Sequence, residues 1–177
     1  MRDDAMVHAT AGIVGGALGT AMLMQGLKVS ANLPIRLRPT MARQDPGDFM
    51  VMKLEHYRGK PLSRPARERI AQGLRWGYGM TSGLVLGLAT SRRHVSTLRS
   101  AILAGTALGV GVWAVGYAGW LPATKLTPPL LRQGGRHIAV SVLGHIAFGL
   151  VAVAPILWVD RRSRRPLWKR ALSRLLG

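Results

Sequence analysis

The sequence predicts an all-α polytopic membrane protein, with four transmembrane helices in one bundle and an amphipathic helix at the C-terminus. Three observations predict it. Apolar residues gather into stretches at 9–27, 71–89, 101–120 and 138–159, each about 19 to 22 residues long. At about 1.5 Å of rise per residue, such a stretch crosses a hydrocarbon core of about 30 Å. Nearly all of the 25 Lys and Arg lie between and after these stretches. Most of the 22 glycines lie inside them, many at four-residue steps, a spacing that lets membrane helices approach closely.

The first span, 9–27, carries Gly12, Gly15, Gly16 and Gly19, which form two overlapping G-x-x-x-G pairs. Residues four apart share one helix face, so missing side chains there open a seam for a neighbouring backbone. Val29-Ser30-Ala31 would pass as a signal-peptide cleavage site. Arg2 is followed at once by Asp3 and Asp4, however, so the stretch is expected to be retained as a span.

The long basic loop 28–70 contains a helix signal. Asp45 is placed to cap, Pro46 to occupy the first helical position and Asp48 the first turn, with Gly59 as the stop. The apolar residues between Phe49 and Tyr57 make this an interfacial or docked helix. Ser63 or Pro65 opens the helix that becomes the second span. That span, 71–89, repeats the glycine device at Gly79, Gly83 and Gly87, with Gly73 and Gly77 at its start. The third, 101–120, has Ala101, Gly105 and Gly109 in the same register.

The chain divides into a four-helix bundle at 1–159 and a basic tail at 160–177. After Pro166, Leu167, Trp168, Ala171, Leu172 and Leu175 share one helical face, with basic residues largely opposite. Such a helix lies on an anionic membrane surface, where each Lys or Arg gains about 1 kcal/mol. Arg161, Arg162, Arg164, Arg165, Trp168, Lys169, Arg170 and Arg174 are the expected headgroup ligands. The net charge of +18 is therefore assigned to anionic membrane lipids and not to nucleic acid, since no folded soluble domain is available to read a groove. The two faces carry nearly equal numbers of Lys and Arg. The dense charge of the tail and of the short second loop favours both termini inside.

The spans suggest a duplicated two-helix hairpin. Gly15-Gly16-Ala17-Leu18-Gly19 aligns with Gly105-Thr106-Ala107-Leu108-Gly109, and each span runs on to a Leu-Pro step at Leu33-Pro34 and Leu121-Pro122. Arg75-Trp76-Gly77-Tyr78-Gly79 aligns with His145-Ile146-Ala147-Phe148-Gly149. Coincidence between Gly-, Ala- and Leu-rich helices is the alternative. Lys125-Leu126-Thr127-Pro128-Pro129, then Leu143-Gly144-His145 with its aromatic-Gly pair, resembles the YagU-like family of uncharacterised bacterial inner-membrane proteins. The opening glycine run from Gly12 to the Leu33-Pro34 step is similar to that family's first span. The resemblance implies a bacterial inner-membrane location and a four-helix layout, and no chemistry. The second span departs from the family by carrying Arg75 where such proteins often have His.

Catalytic groups are missing from the pattern. No nucleophile-base-orienter set, P-loop or paired carboxylates occur, so no enzyme is expected. The absence of cysteine excludes disulfides, thiolate catalysis and Cys-based metal sites. Asp3, Asp4, Asp45, Asp48, Glu55, Glu68 and Asp160 all lie away from mid-span, against a proton-driven carrier with a buried carboxylate. A loop-one metal site from Asp45, Asp48, Glu55 and His56 competes with the capping role of the two Asp. No metal or cofactor is expected, and haem lacks a second histidine at the depth of His145.

The polar residues inside spans are the candidate site. His145 lies about two turns into the fourth span, with His137 and Ser141 at four-residue steps before it. Arg75 lies about a turn inside the second, where it can snorkel or meet an anionic group. The expected role is structural or accessory, binding lipid, a second copy or a larger membrane complex. The alternative is a small oligomeric transporter or channel with His145 and Arg75 lining the path.

Overall fold

The computed structural model describes residues 2–32, 46–92, 94–125, 129, 132 and 134–163. All regular structure among them is helical. Helix α1 spans Arg2–Ala31, α2 Pro46–Arg58 and α3 Arg64–Thr90; α4 spans Leu98–Trp113 and continues through a π-helical turn, Ala114–Trp120, into the short α5, Leu121–Ala123; α6 spans Gly135–Ala152 and α7 Ala154–Ser163. The segments 4–26, 98–123 and 138–163 are long and apolar enough to cross a membrane. Helix α3 falls outside that group. Its first turns carry Arg64, Arg67, Glu68 and Arg69, and its apolar half is diluted by Arg75, Trp76, Tyr78 and several glycines.

Local signals explain where the helices begin and end. Ser63 stands at the N-cap of α3 with Pro65 in the first turn, where a missing N–H costs nothing. Gly59, at φ +64°, ends the α2 region in a left-handed turn that suits glycine. Glu55 accepts a hydrogen bond from the Leu62 N–H at 2.8 Å and lies 3.7 Å from Arg67, fastening the α2–α3 corner. Val51 of α2 is fully buried. Helix α4 starts with a reciprocal cap: Thr97 Oγ1 accepts from the Ser100 N–H at 3.1 Å, and the Thr97 N–H donates to Ser100 Oγ at 3.1 Å. The helix is divided at Val153, whose own N–H and carbonyl still bond Gly149 and Leu157; two residues on, Pro155 has no N–H for the ladder and its ring opposes an uninterrupted helix. The boundary expected at 159/160 thus falls inside α7. The fourth apolar stretch is two helices, and Asp160 belongs to the bundle.

Helix α1 lies between α3 on one side and α6 with α7 on the other, while α6 also packs on α4. Glycine sets these approaches. A Cβ on Gly12 would meet the Gly83 carbonyl, one on Gly16 the Gly79 carbonyl, and one on Gly87 the His8 carbonyl. The residue numbers run in opposite directions, so α1 and α3 are antiparallel. Gly15 presses on Ala152 and Gly19 on the Phe148 ring, which seats α6 on the same helix. A Cβ on Gly105 would lie 2.8 Å from the Gly149 carbonyl oxygen, and one on Gly109 would strike that of His145. Gly149 makes the reciprocal approach to Gly105 and is a packing glycine that the four-residue pattern of the other three spans did not single out. Gly73 and Gly77 face open space.

The resulting interior is unlike that of a soluble protein. Ala11, Gly12, Gly15, Gly16, Gly19 and Thr20 form the buried face of α1, while Val14 and Leu18 are half-exposed. In α4, Ala101, Gly105 and Gly109 are buried and Ile102 and Leu103 point out. Along these seams small residues are inside and large apolar ones outside, the reverse of the distribution water imposes. A compact apolar cluster of larger side chains, including Leu86, Val95, Val153 and Ile156, closes one end of the bundle.

Candidate functional site

At that closed end three titratable side chains converge from distant parts of the chain. His8 is supplied by the second turn of α1, His94 by the turn between α3 and α4, and Asp160 by α7. His8 Nε2 lies 2.9 Å from Asp160 Oδ1, and His94 Nδ1 lies 3.1 Å from the same oxygen. The other carboxylate oxygen, Oδ2, accepts the Val95 N–H. The two imidazole rings meet edge to face, 5.6 Å between centroids. His8 is 3% exposed and Asp160 2%, whereas His94 is 47% exposed and opens the group to solvent.

Backbone structure holds each member. The His94 N–H donates to the Thr90 carbonyl at 3.0 Å, extending the end of α3 by one bond. His94 itself sits at φ +40°, a conformation non-glycine residues adopt infrequently, histidine more readily than most. Gly87 admits the backbone of His8 and Ala9 against α3, which sets the depth of His8. On its far side, His8 Nδ1 is 2.7 Å from the Asp4 carbonyl oxygen. A carbonyl only accepts, so this bond assigns the hydrogen to Nδ1 and leaves the Nε2 lone pair facing Asp160.

Two acceptor atoms facing each other at 2.9 Å need a cation between them. The arrangement can hold a proton, as a buried imidazolium–carboxylate pair, or a metal ion with nitrogen and oxygen ligands. Sequence reasoning missed this group because its members are separated by 86 and 66 positions. One signal was available: with four spans, the N-terminus, the second loop and the end of the fourth span share one side, and each of them carries one of these residues.

The expected intramembrane site is organised differently. His145 Nδ1 donates to the Ser141 carbonyl at 2.8 Å, and its ring stands edge-on to Tyr117 at 5.4 Å. Ser141 Oγ accepts from Trp113 Nε1 at 2.9 Å. Trp113 ends α4 and Tyr117 lies in the π-helical turn, so this bond and this ring contact tie the end of α4 and the turn after it to α6. Arg75 is half-buried on α3, which packs chiefly on α1, whereas His145 packs against α4. His137 falls in the first turn of α6, and its side chain lies outside the described residues. Of the expected headgroup ligands, Arg161 and Arg162 end α7, with the Arg162 guanidinium 4.9 Å over the Trp158 ring. Arg164, Arg165, Trp168, Lys169, Arg170 and Arg174 lie outside the described residues, as does Asp45. Glu55 of the weighed loop-one metal site is engaged at the α2–α3 corner. The histidines and carboxylate that do converge are His8, His94 and Asp160, where the sequence led to no metal site.

Comparison of the chain with protein-family models, with curated proteins and with solved structures gives no match.

Proposed function

We propose that the protein is a non-enzymatic membrane-integral scaffold with a structural or accessory role, acting by binding lipid, a second copy of itself or a larger membrane complex. The observation that carries this reading is the inverted distribution of residue size. Glycine and alanine pack inside, and Val14, Leu18, Val85, Ile102, Leu103, Val115 and Leu143 project outward. Lipid provides no hydrophobic force between helices, so close backbone packing is what such a bundle has to hold it together. In this reading the glycine seams of α1, α3, α4 and α6 act as zippers.

Helix α3 serves as the fourth span. It runs antiparallel to α1 from Gly79, beside Gly16, to Gly87, beside His8. This path returns the chain to the end where α1 began. The seams Gly16/Gly79 and Gly105/Gly149 resemble each other as a duplicated hairpin would, with the first helix one residue away from the aligned Gly15. Arg92, Arg99, Arg161 and Arg162 flank the helix ends that carry or adjoin His94 and Asp160, and this charge beside the span ends supports placing both termini on the cytoplasmic face of a bacterial inner membrane. The basic residues beyond Ser163 bind anionic headgroups there. A transport role through His145 draws support from its place beside a π-helical turn, a feature common at functional sites. The internal bond to Ser141 favours the packing role.

The test is extraction from native membranes in mild detergent, with identification of whatever co-purifies in stoichiometric amount. A defined protein or lipid partner, lost in Gly83→Leu and retained in His145→Ala, is the expected result. A homogeneous self-assembly whose solute flux in vesicles disappears in His145→Ala would replace the scaffold reading with the transport one.

A further inference from the structure

The convergence at the closed end of the bundle has a chemistry of its own, independent of the scaffold role. We propose that His8 Nε2, Asp160 Oδ1 and His94 Nδ1 bind one divalent transition-metal ion, Zn2+ above all, which pins the start of α1, the α3–α4 turn and α7 together.

Geometry comes first. All three donor atoms lie within 4.8 Å of one another, and two of the separations are 2.9 and 3.1 Å. Ligand atoms about 2.0 to 2.1 Å from a common ion, at tetrahedral or somewhat smaller angles, stand about 2.8 to 3.4 Å apart. The two nitrogen–oxygen separations fall in that interval, and the two nitrogens lie within 4.8 Å of each other.

The outer partners point the same way. A metal-bound imidazole typically donates its other N–H to a carbonyl or carboxylate, which fixes the tautomer and aims the free lone pair at the ion. His8 does this through the Asp4 carbonyl at 2.7 Å. A ligating carboxylate is usually hydrogen-bonded on its second oxygen, and Asp160 Oδ2 receives the Val95 N–H. His94 and Val95 are adjacent, so one turn provides both a ligand and an outer-shell donor. The φ of +40° at His94 is the kind of backbone departure that clusters at ligand sites.

A proton between His8 and Asp160 accounts for one nitrogen–oxygen pair, and a hydrogen on His94 Nδ1 for the other. A single divalent ion accounts for both at once and offsets a carboxylate that is 2% exposed. Two imidazoles and one carboxylate suit Zn2+ and its first-row neighbours, and do not suit Mg2+ or Ca2+, which prefer all-oxygen shells. The exposed side of His94 provides both an entry path and a position for a water ligand.

The experiment uses the full chain, purified in mild detergent with an affinity tag free of histidine and stripped with chelator. Zn2+ and Mg2+ are titrated by calorimetry, and Co2+ is added as a spectroscopic stand-in. The expected result is one Zn2+ per chain, no response to Mg2+, and the absorption of low-symmetry Co2+. His94→Ala and Asp160→Asn should each weaken Zn2+ binding by at least about 100-fold, the upper end of what losing an outer-shell partner alone costs. His56→Ala and His145→Ala should leave it unchanged. His94 is exposed and Asp160→Asn keeps the side-chain shape, and circular dichroism and gel filtration check that both variants remain folded. Absence of stoichiometric Zn2+ binding, or binding that survives both variants, would overturn the proposal and identify the group as a proton-bridged pair.

Discussion

Asp160 shows how one side chain can serve several segments at once. Its two oxygens meet His8, His94 and the Val95 N–H, so removing it strands His8 and the Val95 N–H, both shielded from water. Asp160→Ala should destabilise the folded protein by about 3 kcal/mol or more, read as a lowered unfolding midpoint in detergent. If the group holds Zn2+, free metal at 100 times its dissociation constant should add about 2.7 kcal/mol of stability. That increment should vanish in His94→Ala, as thermal unfolding with and without chelator would show. The His145 neighbourhood is of a different kind. Trp113→Phe removes one interhelical hydrogen bond, for which membrane proteins show an average worth of about 0.6 kcal/mol. A small drop in thermal stability with unchanged gel-filtration behaviour is expected.

Single helices explain why some glycines matter and others do not. On α3, Gly83 faces the Gly12 carbonyl and Gly16, while Gly77 six residues earlier faces open space. Gly83→Leu should therefore separate α1 from α3 and leave no monodisperse protein in detergent. Gly77→Ala should be neutral, or raise stability by up to about 1 kcal/mol through better helix propensity. The two variants share a helix and a residue type, so comparing them isolates the seam from the general effect of losing a glycine. Spacing named the seam of α3 at Gly79, Gly83 and Gly87, because four-residue steps keep to one face. It had no means to rank Gly149, whose close approach depends on where α4 lies. The break at Val153 was equally hidden. Pro155 was visible, but near a helix start proline is tolerated and in an interior it is not, and only the path of the chain separates these cases.

At the scale of the molecule the central question is how many helices cross the bilayer. The chain has no cysteine, which makes it a ready background for side-specific labelling. With α3 as a span, Arg92→Cys should react with a membrane-impermeant thiol reagent on one side, and Lys60→Cys and Thr124→Cys on the other. Labelling of Arg92→Cys and Lys60→Cys from the same side would show that α3 does not cross. The bundle gains its closure from the same topology. An antiparallel return through α3 brings His94 back to His8, and the descent through α6 and α7 brings Asp160 to both.

The sequence by itself determined that the protein is helical, where its apolar helices run, and which faces of α1, α3 and α4 carry glycine. These are properties of periodicity and side-chain size, and they are local. Helix α2 was legible for the same reason, from Pro46 at its start to Gly59 at its stop. Only the tertiary structure decided that Asp160 is a core residue and not the first residue of a tail. It alone placed His8 and His94 beside that carboxylate. Burial and ligand geometry arise between segments that are 66 and 152 positions apart. No local pattern encodes such a meeting; it follows from the antiparallel packing that the glycine seams allow.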